Sequence, residues 1–146
     1  RQVGNLLTTM ANCCKPVPGD EIVGFITQGK GVTIHRKDCS NIINLDDEKQ
    51  RRLIEVEWGE AEVQTYPVTL LIEALDRQGL LSDITRTLAD EKVNVTAINT
   101  LSDKNRQTAR MAVTIETRDL QQLNRVMDKI SQLPNVTDVV RGAHHA

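Results

Sequence analysis

Aromatic side chains are nearly missing from this sequence: one Phe, one Tyr and one Trp among 146 residues. A core without rings has to be assembled from Val, Ile and Leu. That suits thin α/β layers, and two small cores of this kind are each marginal without further support. No run of 18 apolar residues occurs, which excludes a membrane-spanning helix. Neither a G-x-G-x-x-G run nor a Walker A run is present, so a nucleotide site is not supported. Cysteine is scarce and odd in number, three residues all within the first 39, which argues against a secreted disulfide framework. An initiating Met is absent and no signal peptide is visible; a chain opening on Arg1 reads as a piece of a longer protein. The net charge of −2 lacks the strong basic excess of a generic nucleic-acid binder.

That charge is unevenly spread. Residues 1–45 carry five Lys/Arg against three acids, whereas the remainder carries 13 against 17. A local basic face on the first part is compatible with the acidic whole.

After an apolar stretch of undefined type from Asn5 to Ala11, the run CCKPVPGD is held non-helical by Pro16, Pro18 and Gly19. EIVGFITQG and GVTIHR then predict a hairpin from Glu21 to Arg36 around GKG. A short helix capped by Asp38 or Ser40 is expected next, with Ile42, Ile43 and Leu45 on its buried side. Asp46 to Arg52 is a charged surface segment, and the alternation of Leu53 to Trp58 predicts a strand. Residues 1–58 thus form one domain, 59–65 a linker, 66–142 a second domain and 143–146 a tail.

The second domain is the more periodic. Strands are predicted for YPVTLLIEALD, NVTAINTLSD, TARMAVTIET and NVTDVVRG, with a polar turn at Lys104 to Gln107. GLLSDITRTLADEK reads as an amphipathic helix with Leu80, Leu81, Ile84 and Leu88 on one side. DLQQLNRVMDKISQLP reads as another, capped by Asp119, stopped at Pro134, with Leu120, Leu123, Met127 and Ile130 inward. The order β-α-β-β-α-β is that of the ferredoxin-like split unit, and the fold class is α+β.

Three constellations carry chemistry. Cys13-Cys14 and His35-x₃-Cys39 offer three thiolates and an imidazole, zinc's preferred donors, enough to close a tetrahedral structural site. Adjacent cysteines would point to opposite faces of a regular strand, and the turn set by Pro16 and Pro18 has to bring them together. The spacing leaves a second reading open, in which Cys13 or Cys14 is a small buried hydrophobe and His35 a surface residue at a strand end. A catalytic zinc needs an open coordination position and a nearby base, and no carboxylate is placed for that role. No complete catalytic set can be assembled, so the chain is expected not to be an enzyme in itself.

The second is the turn Asp76-Arg77-Gln78-Gly79-Leu80-Leu81, where Gly79 at a helix mouth lets backbone approach a ligand. The plainer reading is that Gly79 makes the turn and Asp76 caps the helix. The third is Lys15, Lys30, Arg36 and Lys37 around the cysteine turns, either a solvated basic edge or phosphate contacts to folded RNA.

CCKPVPGDEIVGFITQGKGVTIHRKDCSNI is similar along its whole length to the conserved-cysteine, zinc-finger-like domain of RelA/SpoT homologues, and LDRQGLLSDITRTLADEKVNVTAINT resembles the ACT domain that follows it there. The resemblance covers Val3 to Gly142 and leans toward the RelA-like, synthetase-dominant branch. It implies that Cys13, Cys14, His35 and Cys39 sit at zinc-associated positions. It also implies docking on the ribosome, against 23S rRNA and an uncharged tRNA in the A site, and a cytoplasmic location. The parent enzyme of that family is a GTP pyrophosphokinase whose catalytic domains lie upstream, so this region would regulate rather than catalyse. ACT relatives bind amino acids at the turn matching Asp76 to Leu81, often between paired domains; Gln78 stands where many of them have Pro. A dimerising, amino-acid-sensing module is therefore the alternative expectation, with an exposed sheet edge to pair through.

Overall fold

Residues 8–29, 31–59 and 64–142 are described by a computed structural model. The chain divides into two compact units, with the break between Gln64 and Thr65. Among the described residues no helix is long and apolar enough to cross a membrane.

The first unit is built on the predicted hairpin, β2 (Ile22–Thr27) against β3 (Gly31–Arg36). Two short strands complete a four-stranded sheet in the order β1-β3-β2-β4. β1 (Thr8–Met10) runs parallel to β3, a pairing that three residues without alternation do not announce. β4 is Leu53–Ile54 alone. The longer strand expected over Leu53 to Trp58 is not formed, because the chain leaves the sheet to wrap its end. There the Trp58 indole N–H donates to the Asp20 carbonyl at 3.0 Å, and Val56 and Trp58 pack on Ile22, Val32 and Ile34. Gly24 lies where this wrap presses closest: a Cβ there would stand 2.8 Å from Val32 Cγ1 and 3.0 Å from Ile54 Cγ1. Two one-turn helices, α1 (Ser40–Ile43) and α2 (Asp47–Gln50), follow β3. α1 is capped by neither Asp38 nor Ser40: Cys39 is its N-cap residue, without a side-chain cap bond. Ile42 does pack inward, but Ile43 is 64% exposed, since a single turn has only one covered side.

The second unit has the predicted βαββαβ order: β5 (Tyr66–Leu75), α3 (Leu80–Asp90), β6 (Asn94–Asp103), β7 (Thr108–Thr117), α4 (Leu120–Ser131) and β8 (Val136–Arg141). The antiparallel sheet runs β6-β7-β5-β8, with β5 and β7 in register from Tyr66↔Thr117 to Leu75↔Thr108. Strand alternation sends Val68, Leu70, Ile72 and Ala74 of β5, with Met111, Val113 and Ile115 of β7, to the buried side. They meet Leu80, Ile84 and Leu88 of α3 and Leu123, Val126 and Ile130 of α4.

Two positions depart from the helical pattern. Leu81 is 47% exposed, because it lies a residue off the stripe defined by Leu80, Ile84 and Leu88. On α4 it is Val126, fully buried, that fills the site expected of Met127, which is half-buried with Leu120. The Asp119 cap forms as expected, its carboxylate accepting the Gln122 N–H at 2.9 Å, a contact contributing about 1 kcal/mol. At the far end of α3, Glu91 takes Lys129 and Arg125 of α4, and the hydrogen bond from Lys129 holds its carboxyl below the usual range.

Candidate metal centre

Three local devices bring four donors to one point. Lys15 N–H bonds back to the Ala11 carbonyl at 3.0 Å, closing a turn over Asn12 to Cys14, and Lys15 itself takes φ +45°. That left-handed residue lets two adjacent cysteines converge, and it precedes the prolines that seemed from the sequence to set the turn. Val17, fully buried, then anchors the segment, its N–H donating to Asp20 Oδ2 at 2.8 Å. β3 delivers His35 one residue before its end, opposite Val23. A tight turn follows, in which Cys39 N–H donates to the Arg36 carbonyl at 3.1 Å and folds Cys39 back beside His35.

The four donor atoms lie within 4.8 Å of one another. Cys13 Sγ stands 3.4 Å from His35 Nδ1 and 3.5 Å from Cys39 Sγ, and Cys14 Sγ stands 3.8 Å from His35 Nδ1 and 4.0 Å from Cys13 Sγ. A tetrahedral ion with arms of about 2.0–2.3 Å spaces its ligand atoms roughly 3.6–3.8 Å apart, so both the donor set and its spacing fit zinc. All three cysteines are free thiols. Burial pushes the Cys14 and Cys39 thiols up, and lowers His35 below its ordinary 6.5. The main-chain N–H of Arg36, donating to Cys14 Sγ at 3.3 Å, works the other way and favours the thiolate. Such a pocket holds the thiols protonated until something more electrophilic replaces their protons.

The expected basic set is less uniform than its sequence suggests. Lys15 is half-buried beside the cysteines, and Lys37 is exposed. Arg36 is held by Asp38 at 2.6 Å, so much of its charge is spent. Lys30 lies outside the described residues. Reasoning from sequence missed Asp38 as that partner, although an i, i+2 opposite charge was its signal.

In the second unit Gly79, φ +83°, occupies the N-cap of α3, which is why only glycine suits it. Asp76 does not cap the helix. Arg77 organises the turn instead, donating to Asp83 Oδ2 at 2.6 Å and to the Pro134 carbonyl at 3.1 Å. An open cleft of about 390 Å³ is lined by Asp76, Arg77, Gly79, Leu80 and Leu81, together with Thr100 and Met111 of the sheet. Gln78 is not among its walls, whereas Thr100 and Met111, which only the sheet brings to the turn, are.

With this geometry in place, the matches to known proteins are specific. Residues 62–141 match the model of the ACT domain, and residues 1–59 that of the RelA/SpoT RIS domain. The chain belongs to the ACT-domain family and, with the RIS domain ahead of it, is a regulatory region of the RelA/SpoT type. It is 47% identical over 139 residues to the GTP pyrophosphokinase of Escherichia coli strain K12, covering 95% of this chain and 19% of that protein. It is 42% identical over 136 residues to the bifunctional (p)ppGpp synthase/hydrolase RelA of Mycobacterium tuberculosis, covering 93% and 18%. The chain thus spans about a fifth of the length of these relatives. The crystal structure of the ACT domain from the GTP pyrophosphokinase of Chlorobium tepidum matches at 19% identity and TM-score 0.48, over 53% of this chain and 97% of that one. The fold assignment stands on the strand order and the family match.

Proposed function

We propose that this chain is the ribosome-sensing, non-catalytic part of a cytoplasmic (p)ppGpp synthetase of the GTP pyrophosphokinase type. Its first unit is a zinc-clipped platform that docks on 23S rRNA and an uncharged A-site tRNA, and its ACT unit helps relay occupancy to synthetase domains elsewhere in the same protein. What carries the reading is the 47% identity to a GTP pyrophosphokinase and 42% to a bifunctional (p)ppGpp synthase/hydrolase, which runs through both units. In this reading Cys13, Cys14, His35 and Cys39 hold the ion, which closes the turn and the β3 end into one rigid corner. Lys15 and Lys37 flank that corner and supply phosphate contacts.

The reading is tested by filter binding of the chain to intact ribosomes and refolded 23S rRNA across a salt series. A chain of net charge −2 is expected to bind weakly, with log affinity falling linearly in log salt. Lys37→Gln is expected to weaken binding more than Arg36→Gln, since Asp38 already compensates Arg36. Affinity indifferent to salt would sink the RNA reading.

The metal has its own signature. Because burial raises the Cys14 and Cys39 thiols, both carry protons at neutral pH, and a captured ion must expel them. Lowering the pH therefore weakens binding by at least about a hundredfold per pH unit, one decade for each proton expelled. Burial lowers His35 below 6.5, which favours its unprotonated, donor form. Chelator-competition titrations at about pH 7.5 and 6.5 read the slope; a change of tenfold or less would leave one of these thiols outside the site.

A second reading is favoured by the cleft at Asp76 to Leu81: a small amino acid bound at the α3 N-terminus, with a second copy pairing along the sheet edge. A thermal shift with free valine or isoleucine, absent in Gly79→Asp, would support it.

A further inference from the structure

One arginine in the first unit is held as if for use. The Arg52 guanidinium lies over the Phe25 ring, 4.7 Å from its centroid. Its Nε donates to the Ile26 carbonyl at 2.8 Å, and the Ile26 N–H returns a bond to the Arg52 carbonyl at 2.8 Å. Ring and carbonyl together fix the side chain without touching its charge. Among the described residues Arg36, Arg77, Arg86, Arg110 and Arg125 each face a carboxylate, whereas Arg52 faces none. The two terminal nitrogens keep their N–H donors free in one plane. That fork matches two oxygens of a phosphodiester, and little rotamer freedom is left to lose on binding.

Its setting agrees. By strand alternation Phe25 projects from the face opposite Ile22 and Gly24, and His35, paired with Val23, shares that face. Lys49 and Arg51, both exposed and without a carboxylate partner among the described residues, precede Arg52 on the chain. The acids of this segment, Asp46, Asp47 and Glu48, stand at the start of α2, where Asp46 is spent accepting the Lys49 N–H at 2.8 Å. The ring itself is covered by the guanidinium, so Phe25 is a support and not a platform for a base.

We propose that Arg52, laid flat on Phe25, is a phosphodiester-binding residue of the first unit. This rests on the RNA reading given above and adds to it a residue that the basic set Lys15, Lys30, Arg36 and Lys37 does not include. The experiment compares wild type, Arg52→Gln, Arg52→Lys, Phe25→Leu and Lys37→Gln for binding to refolded 23S rRNA and to intact ribosomes. Far-UV dichroism and metal content per chain verify that each variant is folded. Arg52→Gln is expected to lose roughly tenfold in affinity, the lower end for a charged hydrogen bond, and to flatten the salt slope by about 0.7–0.9. Arg52→Lys keeps the slope but loses several-fold, because the charge remains while the fork and the stack go; Phe25→Leu behaves like it. Wild-type affinity and slope in a folded Arg52→Gln, beside a weakened Lys37→Gln, would overturn this proposal and leave the RNA reading standing. Loss confined to intact ribosomes, with naked rRNA bound normally, would overturn it in favour of a protein carboxylate. Absence of salt-dependent binding by the wild type would remove the RNA reading and this inference together.

Discussion

Replacing Cys39 by serine is expected to strip the metal from the chain and to unfold the first unit, while the βαββαβ unit keeps its secondary structure. A serine hydroxyl does not ionise near neutral pH and cannot stand in for a thiolate. Among the described residues the unit's buried apolar side chains are few: Val17, the trio Ile22, Val32 and Ile34, and the group Ala11, Cys14 and Cys39, two of which belong to the candidate donor set. A core of that size is marginal, whereas a structural zinc site contributes on the order of 10–16 kcal/mol at neutral pH. Loss of the ion would also leave the Lys15 turn and the Arg36 to Cys39 turn held only by their own main-chain hydrogen bonds. Metal content by mass spectrometry reports the first half of the prediction. Trp58 reports the second, since it is the single tryptophan and its indole is tied to Asp20 within the first unit. Unchanged Trp58 emission in a metal-free Cys39→Ser chain would show that the apolar groups suffice.

Ile84→Ala is expected to cost the second unit about 3–4 kcal/mol, and Leu81→Ala within about 0.5 kcal/mol. Both residues look alike in the amphipathic pattern of α3, but Ile84 is 0% exposed and Leu81 47%. Truncating Ile84 leaves a cavity between α3 and a sheet whose facing residues, Leu70, Ile72 and Val113, are themselves sealed. Truncating Leu81 only trims a wall of the open cleft. Denaturant melts followed by far-UV dichroism separate the two. A large loss in Leu81→Ala would mean that this leucine is covered in solution, and a second copy seated on the cleft would be the first explanation to examine by sedimentation. Trp58 emission should stay native in both, because neither substitution touches the first unit's core.

Much of the second unit was legible before its structure. Strand and helix differ in period, and β5, β7, α3 and α4 each carry ten or more residues over which the period declares itself. Local stops agree with it: Asp119 at an N-cap and Gly79 at a left-handed position. The first unit was less legible, because β1, β4, α1 and α2 have two to four residues each, too few for a period. The hairpin of β2 and β3, six residues a side around GKG, announced itself, as did the presence of the one-turn helix α1 behind it, though not its cap.

The candidate site divides along the same line. Composition and order determined the donor set Cys13, Cys14, His35 and Cys39, the βαββαβ sequence of elements, and the glycine at the mouth of α3, since each depends on residue type or on neighbours a few positions away. Tertiary structure alone decided that adjacent cysteines converge, through φ +45° at Lys15 and a bond back to Ala11. It decided that Arg36 is neutralised while Arg52 is not, that Leu81 lines a cleft while Ile84 fills a core, and that residues 55–58 leave the sheet. Such outcomes turn on which groups from distant parts of the chain meet. Charge compensation, burial and sheet pairing are properties of the meeting and not of either residue.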